Sequence, residues 1–250
     1  MLKNRIITTM LWNGTTLVKG HNFNNSRRAG SPITTIKIYD KRDVDEIIFF
    51  DITATQLNRK KIDIDFYKEI TDECSVPITI GGGVNKIEHF NDLLFAGADK
   101  VSINSHLYVD PELLDKAASK YGSQTIVAGI DYKKVDNELL CFSSSGKKPE
   151  KKDPISWSKE CADRGAGEII LTSIDNDGLM TGYDCDLINK ISHNLKIPVI
   201  ASGGAGNYDH LFNVIKSGAS AVAAASIYHF TEQTPAEAKK FLKKRNILVR

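Results

Sequence analysis

Apolar residues come along this chain in short unbroken runs, and between the runs they recur every three or four positions. The first run is Ile6-Ile7-Thr8-Thr9-Met10-Leu11, and Trp12-Asn13-Gly14 turns the chain after it. Such runs predict eight strands, at 5–11, 46–53, 76–80, 100–104, 125–131, 168–174, 198–202 and 221–225. Ser31-Pro32 offers an N-cap and a proline at the first helical position, and Ile33, Ile36 and Tyr39 follow at helical spacing. Helices are also expected over 65–74 and 87–96, after Asp110-Pro111, from Asp153-Pro154 to Arg164, and from Pro235. Strands of nearly continuous Ile, Val and Ala that alternate with helices predict a parallel sheet covered by helices.

The pattern occurs twice. Glu46-Ile47-Ile48 recurs as Glu168-Ile169-Ile170, Val76-Pro77-Ile78 as Ile197-Pro198-Val199, and Gly82-Gly83 as Gly203-Gly204, at an offset of about 121 residues. A repeat of half the chain, holding several strand–helix units, argues for a closed (β/α)8 TIM barrel built by duplication. The half-barrels are expected at about 1–121 and 122–250, within a single domain spanning 1–250. No GxGxxG opens the chain, which counts against an open dinucleotide-binding sheet.

Composition adds little to this picture. Charged residues make up 26% of the chain and the net charge is +2, so no nucleic-acid partner is called for. The lysine-rich segments 147–152 and 239–245 read as solvated surface. Cys74, Cys141, Cys161 and Cys185 show no CxxC spacing and read as reduced packing residues. The histidines form no HxxxH or HxH cluster, so neither a metal nor any other cofactor is expected. No long apolar run or signal peptide is visible; a soluble, cytoplasmic protein without membrane contact is expected.

Barrels of this type carry their chemistry at the C-terminal strand ends. Predicted strands three and seven end on Gly81-Gly82-Gly83 and Gly203-Gly204-Ala205-Gly206. Strand four ends on Asn104-Ser105, and strand eight on Ala225-Ser226. Glycine lets backbone N–H groups approach an anion, and a following helix adds its positive end. The paired occurrence predicts two anion sites, one near Gly83 and Ser105, the other near Gly204 and Ser226, suited to a ligand with a phosphate at each end. A tight βα turn needs glycine in any case, which is the purely structural alternative. Asp131 ends strand five and is the candidate general acid or base. Asp51, Asp175 and Asp177 are further carboxylates near the top. The position matching Asp131 in the first half is Leu11, so a pair of acids across the pseudo-twofold is missing.

These residues resemble the cyclase subunit family of imidazole glycerol phosphate synthase, a barrel of histidine biosynthesis. The resemblance covers nearly the whole chain. It includes Val18-Lys19-Gly20, Asp51-Ile52-Thr53-Ala54, the stretch from Ala98 to Ser105, Leu171 to Gly178, and Ile200 to Gly206. It implies ammonia supplied by a glutaminase docked on the barrel floor as a heterodimer, and substrate held by Lys19, Asp177, Gly178 and the four loop ends. It also assigns Arg5, Glu46, Lys100 and Glu168 to a gate at the N-terminal mouth and Asp99 to a contact with the glutaminase. A salt-bridge ring that merely seals the floor is the structural alternative for those four charges.

The departures lie at the top. Leu11 stands where the family has its first aspartate, Thr8-Thr9 replaces Pro-Cys, Ser143-Ser144-Ser145-Gly146 replaces a His-Gly-Gly loop, and Leu179 follows Asp177-Gly178. They resemble a branch associated with surface-polysaccharide genes, and imply a barrel that passes ammonia on for amidation of an N-acetyl sugar, with a separate sugar amidotransferase as a further partner. The alternatives are a histidine-pathway cyclase and a non-catalytic scaffold that activates a glutaminase.

Overall fold

The computed structural model describes residues 3–57 and 61–250. In chain order the strands are β1 (Arg5–Trp12), β2 (Leu17–His21), β3 (Asn24–Gly30), β4 (Glu46–Asp51), β5 (Ile78–Gly81), β6 (Lys100–Ile103), β7 (Ile126–Val135), β8 (Glu138–Ser143), β9 (Lys148–Pro149), β10 (Glu168–Ser173), β11 (Val199–Ser202) and β12 (Ala221–Ala224). The predicted eight are β1, β4, β5, β6, β7, β10, β11 and β12. They pair in parallel in that order, β12 returns to β1, and the sheet closes. The helices α1 (Pro32–Lys41), α2 (Ile64–Asp72), α3 (Ile87–Phe95), α4 (Glu112–Tyr121), α5 (Pro154–Asp163), α6 (Cys185–Asn194), α7 (Tyr208–Lys216), α8 (Ser226–Phe230) and α9 (Pro235–Lys244) lie between them. This is the (β/α)8 barrel. Among the described residues no helix is long and apolar enough to cross a membrane.

Two apolar cores follow from the alternation of side chains across each strand. Ile6, Met10, Ile47 and Phe49 face outward and pack against helix residues such as Ile36, Tyr39, Tyr67 and Ile70. Ile7, Ile48, Val127, Ile170, Ile200, Ala221 and Ala223 face inward and fill a separate layer inside the barrel. At about 1.5–3 kcal/mol for each large aliphatic side chain buried, both layers stabilise closure.

Two antiparallel arms went unforeseen. β1 runs on into β2–β3, and β7 into β8–β9. Each arm turns through a two-residue loop with positive φ at both positions, Asn22 and Phe23 at 49° and 62°, Asp136 and Asn137 at 47° and 69°. Asp136-Asn137 is a legible hairpin signal. Asn22-Phe23 is not, because an aromatic residue seldom takes that conformation.

The helix starts were partly misjudged. Asp153 caps α5 by accepting from Ser156 N–H at 2.8 Å. Ser31 does not cap α1 in this way, since its hydroxyl donates to Thr34 Oγ1 at 2.9 Å. The lysines of 239–245 are not all solvated either. Lys239 is buried and pairs with Asp45 at 2.7 Å, because α9 packs against β1. Asp45 in turn accepts from the N–H of Ile6 at 2.7 Å, fixing the entry to β1.

Candidate active site and barrel floor

A cavity of about 360 Å³ opens at the C-terminal strand ends. Lys19 reaches it from β2, Asn104 and Ser105 from the end of β6, and Asp131 from β7. The turns after β5, β10 and β11 bring Gly83, then Asp177 and Gly178, then Gly204; Ala225 and Ser226 follow β12. Sequence candidates some 200 positions apart thus share one space.

Two turns need glycine for steric reasons. Gly82 has φ of 117°, and a Cβ there would sit 2.3 Å from the carbonyl oxygen of Asp51. Gly204 has φ of 115°, and its Cβ would sit 2.0 Å from the carbonyl oxygen of Gly182. No acceptor among the described residues takes the N–H of Gly83, Gly204 or Ser226. These donors lie along the cavity wall.

Asp131 accepts from Asn104 Nδ2 at 2.8 Å. Burial and the neighbouring Asp177 push its carboxyl up to about 7, while bonds from Thr172 and Asn104 favour the charged form. Asp177 is itself buried and paired with the ammonium of Lys19. Asp51 and Asp175, both candidates by position, are tied down elsewhere, the first by its own loop and the second by the neighbouring β7–β8 arm. Asp51 accepts from Thr53 and Ala54 N–H, and Asp175 from Lys134 N–H. Register makes the symmetry explicit: Leu11 pairs with Val18 near the base of one arm, and Asp131 with Phe142 at the base of the other. Leu11 lines the cavity at the site equivalent to Asp131.

The arms meet over this space. Phe23 lies close enough to Gly146 that a Cβ there would be 2.9 Å from its ring. The N–H of Ser144 donates to Ser105 Oγ at 2.9 Å, and the N–H of Asn22 to the Asp177 carbonyl at 2.8 Å. Phe23 carried no sequence signal, and Ser144 stood out only as part of a loop that departs from the family's, because their contacts depend on the unforeseen hairpins.

At the opposite end four charges share one layer. Arg5 contacts Glu46 and Glu168, each at 2.7 Å; Lys100 contacts the same two carboxylates at 2.9 and 3.0 Å. Thr79, missed from sequence, donates to Glu46 at 3.1 Å. Burial works against the charge on Arg5, but Glu168 and Glu46 outweigh it and raise its pKa. Asp99, on the same end, accepts from Ile78 N–H at 2.8 Å.

The raised pKa of Asp131 has a measurable consequence. Its folded value, about 7, lies above the ordinary 3.8, so ionisation opposes folding. Relative to Asp131→Asn, the native protein should lose stability as pH rises from about 4 to about 7 and hold a constant deficit above that. Melting temperatures of both proteins across this range test it. A deficit that shrinks as pH rises would contradict the assignment.

The family described as "Histidine biosynthesis protein" matches residues 6–234. The chain is 43% identical to the imidazole glycerol phosphate synthase subunit HisF of Pelodictyon phaeoclathratiforme, over the full length of both. It is 44% identical to the subunit of that name from Dehalococcoides mccartyi strain 195, covering all of this chain and 99% of the relative. It is 41% identical to the one from Chlorobaculum tepidum, again over both full lengths. With that agreement from end to end, and with this barrel, the chain belongs to the histidine biosynthesis protein family, among its HisF-like members.

Proposed function

We propose that this chain is the ammonia-accepting barrel of a HisF-type glutamine amidotransferase, holding a doubly anionic ligand at its top. The observation that carries the proposal is the shared cavity, in which Asp131, the Lys19–Asp177 pair and both sets of unengaged N–H groups converge. The charged floor and the apolar layer above it support a route for ammonia, which is neutral and crosses an apolar lumen that an ion would not. Lys19, Asp177 and Gly178 hold the ligand between the two ends, and Arg5, Glu46, Lys100 and Glu168 form the gate. The partner is a glutaminase, and Asp99 lies on the face where it docks. Phe95 and Leu248, 77% and 55% exposed, stand on that same face. The relatives are named as subunits, in keeping with a partner.

Those names favour formation of imidazole glycerol phosphate, and none mentions a sugar. The sugar-amidation expectation therefore draws no support from the comparisons. One observation still favours it as the second reading: Leu11 leaves Asp131 without an opposing acid. The chain would then hand ammonia to a separate amidotransferase acting on an N-acetyl sugar.

Purified chain supplied with the bis-phosphorylated ribulosyl precursor and ammonium salt distinguishes the two. Imidazole glycerol phosphate formed at the rate of an ordinary cyclase supports the first and removes the second. Turnover near background, together with glutamine-derived ammonia appearing in an amidated sugar once the partners are added, supports the second.

A further inference from the structure

The repeat sets two unlike walls against each other across the cavity. On one, Leu11 of β1, Phe50 of β4 and Gly81 of β5 are neighbours in register, and Ala225 follows β12 on the other flank of β1. The ring of Phe50 covers Gly81, where a Cβ would sit 3.0 Å from its Cδ1. The repeat-related positions are Asp131 of β7, Thr172 of β10 and Ser202 of β11, again neighbours in register, with Asn104 after β6 on the other flank of β7. β1 and β7 stand four strands apart in a ring of eight, so the two walls face each other. The first wall has no side-chain donor or acceptor, and Leu11 and Phe50 are only half-buried where they border the cavity. The second has two hydroxyls, a carboxyl and the Asn104 amide, whose oxygen is buried without a donor among the described residues. The anion ends, after β5 and β6 and after β11 and β12, lie at the two seams between the walls. A ligand reaching from one seam to the other turns one edge to each wall. A hydroxyl turned to Leu11 and Phe50 loses water and gains no partner, whereas a methyl there takes apolar surface out of water.

We propose that the cavity selects a methyl-bearing sugar phosphate, its methyl group seated on Leu11 and Phe50 and its hydroxyl or amide hydrogens turned to Asp131 and Asn104. The selection rests on the reading that anionic groups are held at the top of this barrel. Leu11 and Phe50 are then specificity-determining residues. A phosphorylated chain with hydroxyls along both edges leaves one edge unpaired and binds more weakly. The methyl group can be carried by an N-acyl substituent or by a deoxygenated ring carbon, and both present the same surface to the apolar wall.

Calorimetric titration of the purified chain with two pairs of sugar phosphates tests the selection. N-acetylglucosamine 1-phosphate is set against its N-glycolyl counterpart, and L-fucose 1-phosphate against L-galactose 1-phosphate; within each pair a methyl becomes a hydroxymethyl and nothing else changes. The methyl member should bind about tenfold or more tightly in at least one pair, as an apolar contact that rejects an added hydroxyl requires. A difference in the first pair alone places the methyl on an acyl group, and in the second alone on the ring; either outcome supports the selection. In Leu11→Asn the members should come within about twofold of each other, while Leu11→Met keeps the difference. Melting curves check that both variants are folded, and the comparison in the unaltered chain needs no variant. Equal affinities in both pairs, or a difference that survives in folded Leu11→Asn, overturn the selection. Inorganic phosphate, titrated alone, scores the anion reading separately. Phosphate binding with no difference within either pair removes the selection only, and no binding of phosphate or of any sugar phosphate removes both.

Discussion

A carboxylate restored on the first strand, as Leu11→Asp, is expected to raise imidazole-forming turnover with ammonium salt by roughly 10²–10⁴-fold where the unaltered chain turns over near background, the usual worth of one general acid or base. Leu11 borders the cavity and sits at the base of its arm as Asp131 sits at the base of the other. A new acid there enters the same enclosed space, so burial and like charge should raise its pKa as they raise that of Asp131. The cavity would then hold two acids on opposite sides of one ligand, one able to donate while the other accepts. Leu11→Asn, which adds polarity but no proton chemistry, should give no such gain. Combining Leu11→Asp with Asp131→Asn should return turnover to background. A folded Leu11→Asp protein with unchanged rate would show that more than this one group separates the chain from a two-acid cyclase.

The second large effect concerns the floor. Lys100→Met removes one of two cations from a ring whose glutamates are almost wholly enclosed, Glu46 having 1% of its side chain exposed. Breaking a buried network by deleting one partner costs about 3–5 kcal/mol, because the remaining charge is left under-compensated. The melting temperature should fall accordingly. The ring should also open, since Arg5 alone then faces both Glu46 and Glu168. If ammonia passes here, glutamine-driven activity changes more than activity with free ammonium, which enters from the top. Equal changes in the two assays would identify the ring as a floor seal and nothing more.

The barrel was legible because its signal is local: unbroken apolar runs, helical spacing between them, and a repeat with constant offset. The four floor charges were legible for a related reason, since each begins a strand and strand starts share a height. What the sequence concealed depends on chain reversal or on distant partners. The β2–β3 arm is too polar to read as strand, and its turn uses Phe23, an improbable residue at positive φ. Lys239 sits in a run of lysines, and only the packing of α9 against β1 selects it for burial beside Asp45. Asp51 and Asp131 look alike in sequence. Both border the cavity, but the first accepts from N–H groups of its own loop, while the second accepts from the side chain of Asn104.

The floor also bears on how such a chain holds its halves together. Both cations of the ring, Arg5 and Lys100, belong to the first half, while the second contributes only Glu168. The repeat places Thr125 and Ala221 where those cations would recur. Two copies of the first half would bring four cations to two glutamates, and two copies of the second would bring two glutamates and no cation. Only the unlike pairing is neutral. The ring's charges therefore disfavour pairing of either half with its own copy, and they make the present chain a molecule whose two parts recognise each other by charge.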